Sequence, residues 1–207
     1  YAANKTYSFT RTMVESETPP AVQGHNSEPY FSETVELMGL LWRLAGSAEY
    51  CECQVSTVAT SVDKYFASMK NHQAVTLAKQ YRQQGVCYDA VTGYANQLIF
   101  DDEGKISFDP DYLAGSNSSF DNRWSNQQKS DMLAAVNDFY DTSNFHNWFV
   151  STQTEQQQAI ASFKQVCNLD YTWFDTYYGK NDKYFHNRVS YMFIINGYFY
   201  KNFVYHN

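Results

Sequence analysis

SETVELMGLLWRLAG, residues 32–46, reads as a helix with apolar side chains on every side. Ser32 suits the N-cap, and Glu33 puts a negative charge in the first turn, where the helix dipole favours it. Val35, Leu37, Met38, Leu40, Leu41, Trp42, Leu44 and Ala45 then run round the whole circumference before Gly46 stops the helix. A helix that is apolar all round is buried all round. This one predicts a helical domain packed about it.

The following chain repeats the helical period. Val58, Val62, Tyr65, Phe66 and Met69 stand three and four residues apart and predict a helix from Thr57 to Lys70. A shorter one spans 73–84 and closes at Gly85. Another runs from Asp89 to Phe100 with Val91, Tyr94, Ala95, Leu98 and Ile99 as its stripe. DDEGKISFDPDYLAGSNSSFDN (101–122) is a polar interruption: a turn at DDEG, a short strand at KISF, then a loop. Residues 125–140 gather Met132, Leu133, Val136, Phe139 and Tyr140, and 144–150 carry Phe145, Trp148 and Phe149. Thr152 and Glu155 have capping-box spacing before a helix with Ile160, Phe163, Val166 and Cys167. Asp170 opens a last helix, closed by Gly179.

The two ends differ. Residues 5–14 alternate, with Tyr7, Phe9 and Met13 on one face, and predict a strand; 15–29 hold three of the four prolines and predict a loop. RVSYMFII-NG-YFYKNFVYH has Asn196-Gly197 between two aromatic and β-branched runs, the signature of a two-residue hairpin setting Ile195 against Tyr198 and Phe193 against Tyr200. The expected fold is mostly α (α+β) in a single domain, 1–207: strand 5–14, helical region 32–179, hairpin 188–205. The strand and hairpin are expected to share a small antiparallel sheet.

Composition removes several function classes. Twenty-two acids against 15 Lys plus Arg give a net charge of −7, without the grouped cations that nucleic acid needs. Tyr191–Ile195 is the longest apolar run, far short of the ~18 residues of a membrane span. Low Lys plus Arg, abundant Tyr, Asn, Gln, Ser and Thr, and a start at Tyr1 are read as an exported chain: secreted, periplasmic or at the cell surface. Cys51, Cys53, Cys87 and Cys167 are the disulfide candidates, and four buried, reduced thiols are the alternative.

No catalytic motif is present. The five histidines include no H-E-x-x-H pair, so the sequence offers no catalytic residue, no metal ligand set and no cofactor site. Nucleophile-elbow, phosphate-loop and dinucleotide fingerprints are absent too. Asp101, Asp102, Glu103, Asp109 and Asp111 could hold calcium or form a glycosidase pair, but a solvated acidic loop is the plainer reading. Cys51-Glu-Cys53 with a distant histidine is the bare skeleton of a thiol enzyme, and His146, among the aromatics of FHNWF, reads as a structural histidine. Most of the aromatic excess of 18% falls on apolar stripes. The hairpin tyrosines do not, which makes Tyr198 and Tyr200 candidate binding residues. An aromatic hairpin needs a cover. The basic group Lys180, Lys183, Arg188 and Lys201 and the acidic loop 101–111 are opposite patches that can steer a second copy or a following domain, and the hairpin edge is expected to pair with a strand of either. The alternative is an edge blunted by Lys201 and covered by 15–29.

ETVELMGLLWRLAGSAEY (33–50), V-x-K-Y-F through N-H-Q-A-V-x-L-A-K (62–79), Y-D-A-V (88–91), NDFYDTSNFHNWF (137–149) and DYTWFDTYYG (170–179) occur in an order that resembles a family of secreted bacterial proteins of unknown function, whose longer members look like zinc metallopeptidases. In those members a strand pair like 188–205 leads into the zinc helix. The resemblance implies that the helical region is an accessory, substrate-positioning half, and it carries no catalytic residue over to this chain. A glycan- or peptide-binding surface protein using exposed Tyr and Trp is the alternative.

Overall fold

The computed structural model describes residues 29–51, 57–110 and 121–166, with the backbone of short strands at 186–189, 194–195, 198–199 and 202–204. The all-round apolar helix is α1 (Glu33–Leu44), and every residue after Glu33 is buried. Ser32 takes the extended N-cap backbone, but its hydroxyl bonds the Thr34 hydroxyl at 3.0 Å instead of a helix amide. After a single turn, α2 (Ala48–Cys51), come α3 (Thr57–Tyr65), a 3₁₀ turn (Ala67–Asn71), α4 (Gln73–Gln83) and α5 (Asp89–Ala95). The interrupted region is followed by α6 (Asn126–Ser143), α7 (Phe145–Ser151) and α8 (Gln153–Val166). Thus the described chain is mostly helical, and α1 packs against α2, α4, α5 and α7.

Aromatic side chains fill the core cluster of the described residues. Trp42 donates its indole N–H to the Val86 carbonyl at 3.0 Å, and Trp124 donates to that of Ala90 at 2.9 Å. Each buried indole keeps its one polar atom bonded. Tyr94 stacks on Trp124 with ring centroids 4.4 Å apart. On the other side, Phe66 meets Phe139, Phe145 and Trp148 at 5.4–6.2 Å.

Local chemistry sets the boundaries. Ser125 and Gln128 form a capping box on α6: the Ser125 hydroxyl accepts from the Gln128 amide, and Gln128 Oε1 accepts from the Ser125 amide. Asn144 closes α6 in the left-handed region at φ 58°, which asparagine tolerates. Thr152 is used differently from the expected capping box. Its hydroxyl donates to the Phe149 carbonyl at 2.8 Å and accepts from Gln156 at 2.9 Å.

The helix expected from Asp89 to Phe100 stops at Ala95; Leu98–Phe100 is strand β2, paired antiparallel with β3 (Ile106–Phe108). The Asp101 carboxylate accepts from the amides of Glu103 and Lys105, while Gly104 takes φ +77°, so the DDEG turn folds the chain back. Asn137 of α6 completes the pairing. Its Oδ1 accepts from the Ile106 amide and its Nδ2 donates to the Ile106 carbonyl, both at 2.9 Å, as a neighbouring strand would. Asn137→Ala should therefore cost about 1–3 kcal/mol, the penalty of orphaning partly buried backbone groups. Urea unfolding checks this, and a loss below about 0.5 kcal/mol would refute the strand-like role.

At the C-terminal end β5 (Ile194–Ile195) pairs antiparallel with β6 (Tyr198–Phe199), with Ile195 opposite Tyr198 as the Asn-Gly spacing predicts. The Phe193–Tyr200 pair and the strand expected at 5–14 lie outside the described residues. A further strand, β4 (His186–Val189), lies between β7 (Asn202–Val204), antiparallel to it, and β1 (Tyr30–Phe31), parallel to it. This sheet is mixed, and its third strand comes from the same chain.

Candidate functional site

Two helical stripes face each other across a groove of about 560 Å³. α3 contributes Val58, Ser61, Lys64 and Tyr65; the end of α7 and start of α8 contribute Trp148, Ser151, Thr152 and Glu155. Positions 58, 61 and 65 share one face of a helix, as do 148, 151, 152 and 155 when a helix continues almost unbroken through its cap. The Phe66–Trp148 contact at 5.4 Å holds the two stripes together from below.

The floor is apolar, with Val58 and Trp148 each 4% exposed, while Tyr65 on the rim is 48% exposed and rests edge-on against Phe66 at 4.7 Å. The hydroxyl protons point into the protein. Ser61 donates to the Val58 carbonyl at 2.9 Å, Ser151 to that of Trp148 at 2.7 Å, and Thr152 to that of Phe149. A hydroxyl has one proton and two lone pairs, so these groups offer the groove acceptors and no donors. Lys64 and Glu155 are exposed on opposite walls, and neither forms an ion pair among the described residues. The sequence placed Tyr65 on a core stripe; in the fold it sits at the edge of that stripe and faces solvent.

The two histidines whose side chains are described, His72 and His146, are committed to structure. His146 is exposed and not buried among the aromatics of FHNWF, a correction that follows from the helical period: Phe145 and Trp148 turn inward, so 146 turns out, beside the Tyr140 ring at 6.4 Å. Its Nδ1 is 2.9 Å from Glu33 Oε1, which also accepts the Tyr140 hydroxyl at 2.8 Å. This tie joins α7 and α6 to the start of α1, and burial together with the Glu33 bond pushes the Tyr140 phenol well above its usual range. His72 caps α4, its Nδ1 accepting from the Ala74 amide at 3.1 Å, so its Nε2 carries the proton and donates to Asp138 at 3.1 Å.

Cys51 and Cys87 are free thiols that donate to the carbonyls of Arg43 and Gly85. Burial raises the Cys51 thiol, against the pull of Arg43, so the thiolate a cysteine nucleophile needs is disfavoured. Cys53, Cys167 and Tyr200 lie outside the described residues, and Tyr198 falls in β6. Among the acids, Asp101 serves the turn, with Asp102 and Glu103 exposed beside it. Among the described residues no three His, Cys, Asp or Glu side chains converge on one point, and no helix is long and apolar enough to cross a membrane. No family model, curated protein or solved structure matches the chain.

Proposed function

We propose that this chain is an exported, non-catalytic helical domain of the accessory kind, which holds a segment of substrate or partner for chemistry carried out elsewhere. The observation that carries this reading is the groove between α3 and the α7–α8 junction. Its volume lies in the range of ligand sites, its floor is apolar, and its rim presents a half-exposed aromatic ring, hydroxyl acceptors and two charges with no ion pair among the described residues. The segment order that resembles the accessory half of peptidase-like proteins supports the same role. Glycan binding is favoured by one feature, the exposed Tyr65 ring beside three hydroxyls.

Peptide and glycan arrays probed with the wild type and with Tyr65→Ala test the proposal. Binding to at least one array is expected, weakened about five- to tenfold by Tyr65→Ala, the loss typical of one aromatic contact. Tyr65 is half exposed, so the melting temperature should hold within a few degrees. Two silent arrays, or binding indifferent to Tyr65, would remove the groove from the function.

A further inference from the structure

We propose that the groove takes a zwitterionic ligand, a short peptide with a free ammonium at one end and a free carboxylate at the other. This rests on the groove being the binding site. The argument is charge complementarity across it. Lys64 stands on the α3 wall and Glu155 on the α8 wall, and the two line one cavity of about 560 Å³ without contacting each other. Both are exposed, and among the described residues neither has another counter-charge, whereas the three arginines there are each paired: Arg43 with Asp63, Arg82 with Glu49, Arg123 with Asp121. A ligand lying across the groove can answer both charges at once, with its carboxylate at Lys64 and its ammonium at Glu155.

The hydroxyls point to the same chemistry. The protons of Ser61, Ser151 and Thr152 are already given to helix carbonyls, so a ligand gains bonds there by donating N–H groups. A peptide backbone and its ammonium are rich in such donors. The apolar floor of Val58 and Trp148, with the Tyr65 ring at the rim, leaves space for one ring or branched side chain. A neutral sugar could use the hydroxyl acceptors but would leave Lys64 and Glu155 without partners. Charge is what distinguishes the two ligands.

The test titrates ¹⁵N-labelled protein with the tripeptide Ala-Phe-Ala in four forms: both ends free, N-acetylated, C-amidated and doubly blocked. The free form should shift amides along α3 and at the α7–α8 junction. Blocking either end should weaken binding about three- to fivefold, the effect of one solvent-exposed charge pair. Lys64→Glu and Glu155→Lys should each weaken the free peptide at least as much. Together, Lys64→Glu/Glu155→Lys should recover most of the loss by accepting the peptide in the opposite direction. Both side chains are exposed, so all variants should melt with the wild type. Equal binding of the free and doubly blocked forms, or no recovery in the double variant, would overturn the zwitterionic assignment while leaving the groove as a site. No response to any form, with Tyr65-dependent hits on the glycan array, would also overturn it and turn the groove to sugars.

Discussion

Replacing Arg82 by leucine is expected to destabilise the fold by about 3–5 kcal/mol, whereas replacing Glu49 and Arg82 together by leucine should cost about 1 kcal/mol or less. The asymmetry follows from burial. The Glu49 side chain is 2% exposed while that of Arg82 is 37% exposed, and Arg82 Nε lies 2.6 Å from Glu49 Oε1. The contact is close but poorly directed as a hydrogen bond, and both carboxylate oxygens lack any other partner among the described residues. The pair is therefore held by charge. Removing the arginine leaves an ionised carboxylate in the interior next to Tyr50, and such a charge is costly without its partner. Removing the glutamate instead frees an arginine that already reaches water and lies 6.0 Å above the exposed Tyr88 ring, so Glu49→Leu alone should cost far less. Urea unfolding of the wild type, both single variants and the double variant measures the coupling directly. An Arg82→Leu loss below about 1 kcal/mol, or a double variant as unstable as Arg82→Leu, would show that Glu49 finds its compensation elsewhere.

That ion pair marks where the sequence stops being readable. The apolar period of 33–45 placed α1 at the centre of the core, because nothing but burial accommodates leucines on every side. It was silent on Arg43, which sits in the same helix at 3% side-chain exposure, bonds Asp63 through two nitrogens and donates to the Tyr50 carbonyl. A buried cation has no periodic signature; its partner stands twenty residues away. Residues 98–100 failed for a related reason. Leu98 and Ile99 continue the helical spacing of Val91, Tyr94 and Ala95, and strand formation is decided by the DDEG turn and by Asn137 acting as a strand from α6. β1 is two residues long, below the length at which alternation exists. The groove was invisible because its walls are some ninety residues apart. Each wall alone looks like the polar edge of an ordinary amphipathic helix, and only their meeting over Trp148 makes a site. Asn196-Gly197, by contrast, specified the Ile195–Tyr198 pairing locally, and that register is the one observed.

Alkaline solution should unfold this protein steeply, with stability falling by about 3 kcal/mol per pH unit above pH 10 from two tyrosines alone. Tyr50 and Tyr94 are each 1% exposed, and burial is the chief cause that raises both phenols far above their ordinary value of 10.0. In the fold each hydroxyl donates to a carbonyl, Tyr50 to that of Tyr88 at 3.3 Å and Tyr94 to that of Lys129 at 2.7 Å. A phenolate could not donate and would face the carbonyl oxygen as a buried anion, a cost that the Thr92 hydrogen bond to Tyr50 offsets only in part. Between pH 10 and the higher folded values, the unfolded chain has released both protons and the native chain holds them. The unfolded state then binds fewer protons, so unfolding becomes more favourable as pH rises, by about 1.4 kcal/mol per pH unit for each group. Below pH 10 both states are protonated and the contribution is constant and complete. The other tyrosines and the lysines titrate over the same range, so the decisive quantity is a difference. Urea unfolding at pH 9, 10, 11 and 11.5 should give the wild type a slope about 3 kcal/mol per unit steeper than Tyr50→Phe/Tyr94→Phe, with each single variant midway. Equal slopes would mean that these phenols ionise inside the folded protein, and that the stacked Tyr94–Trp124 layer admits water.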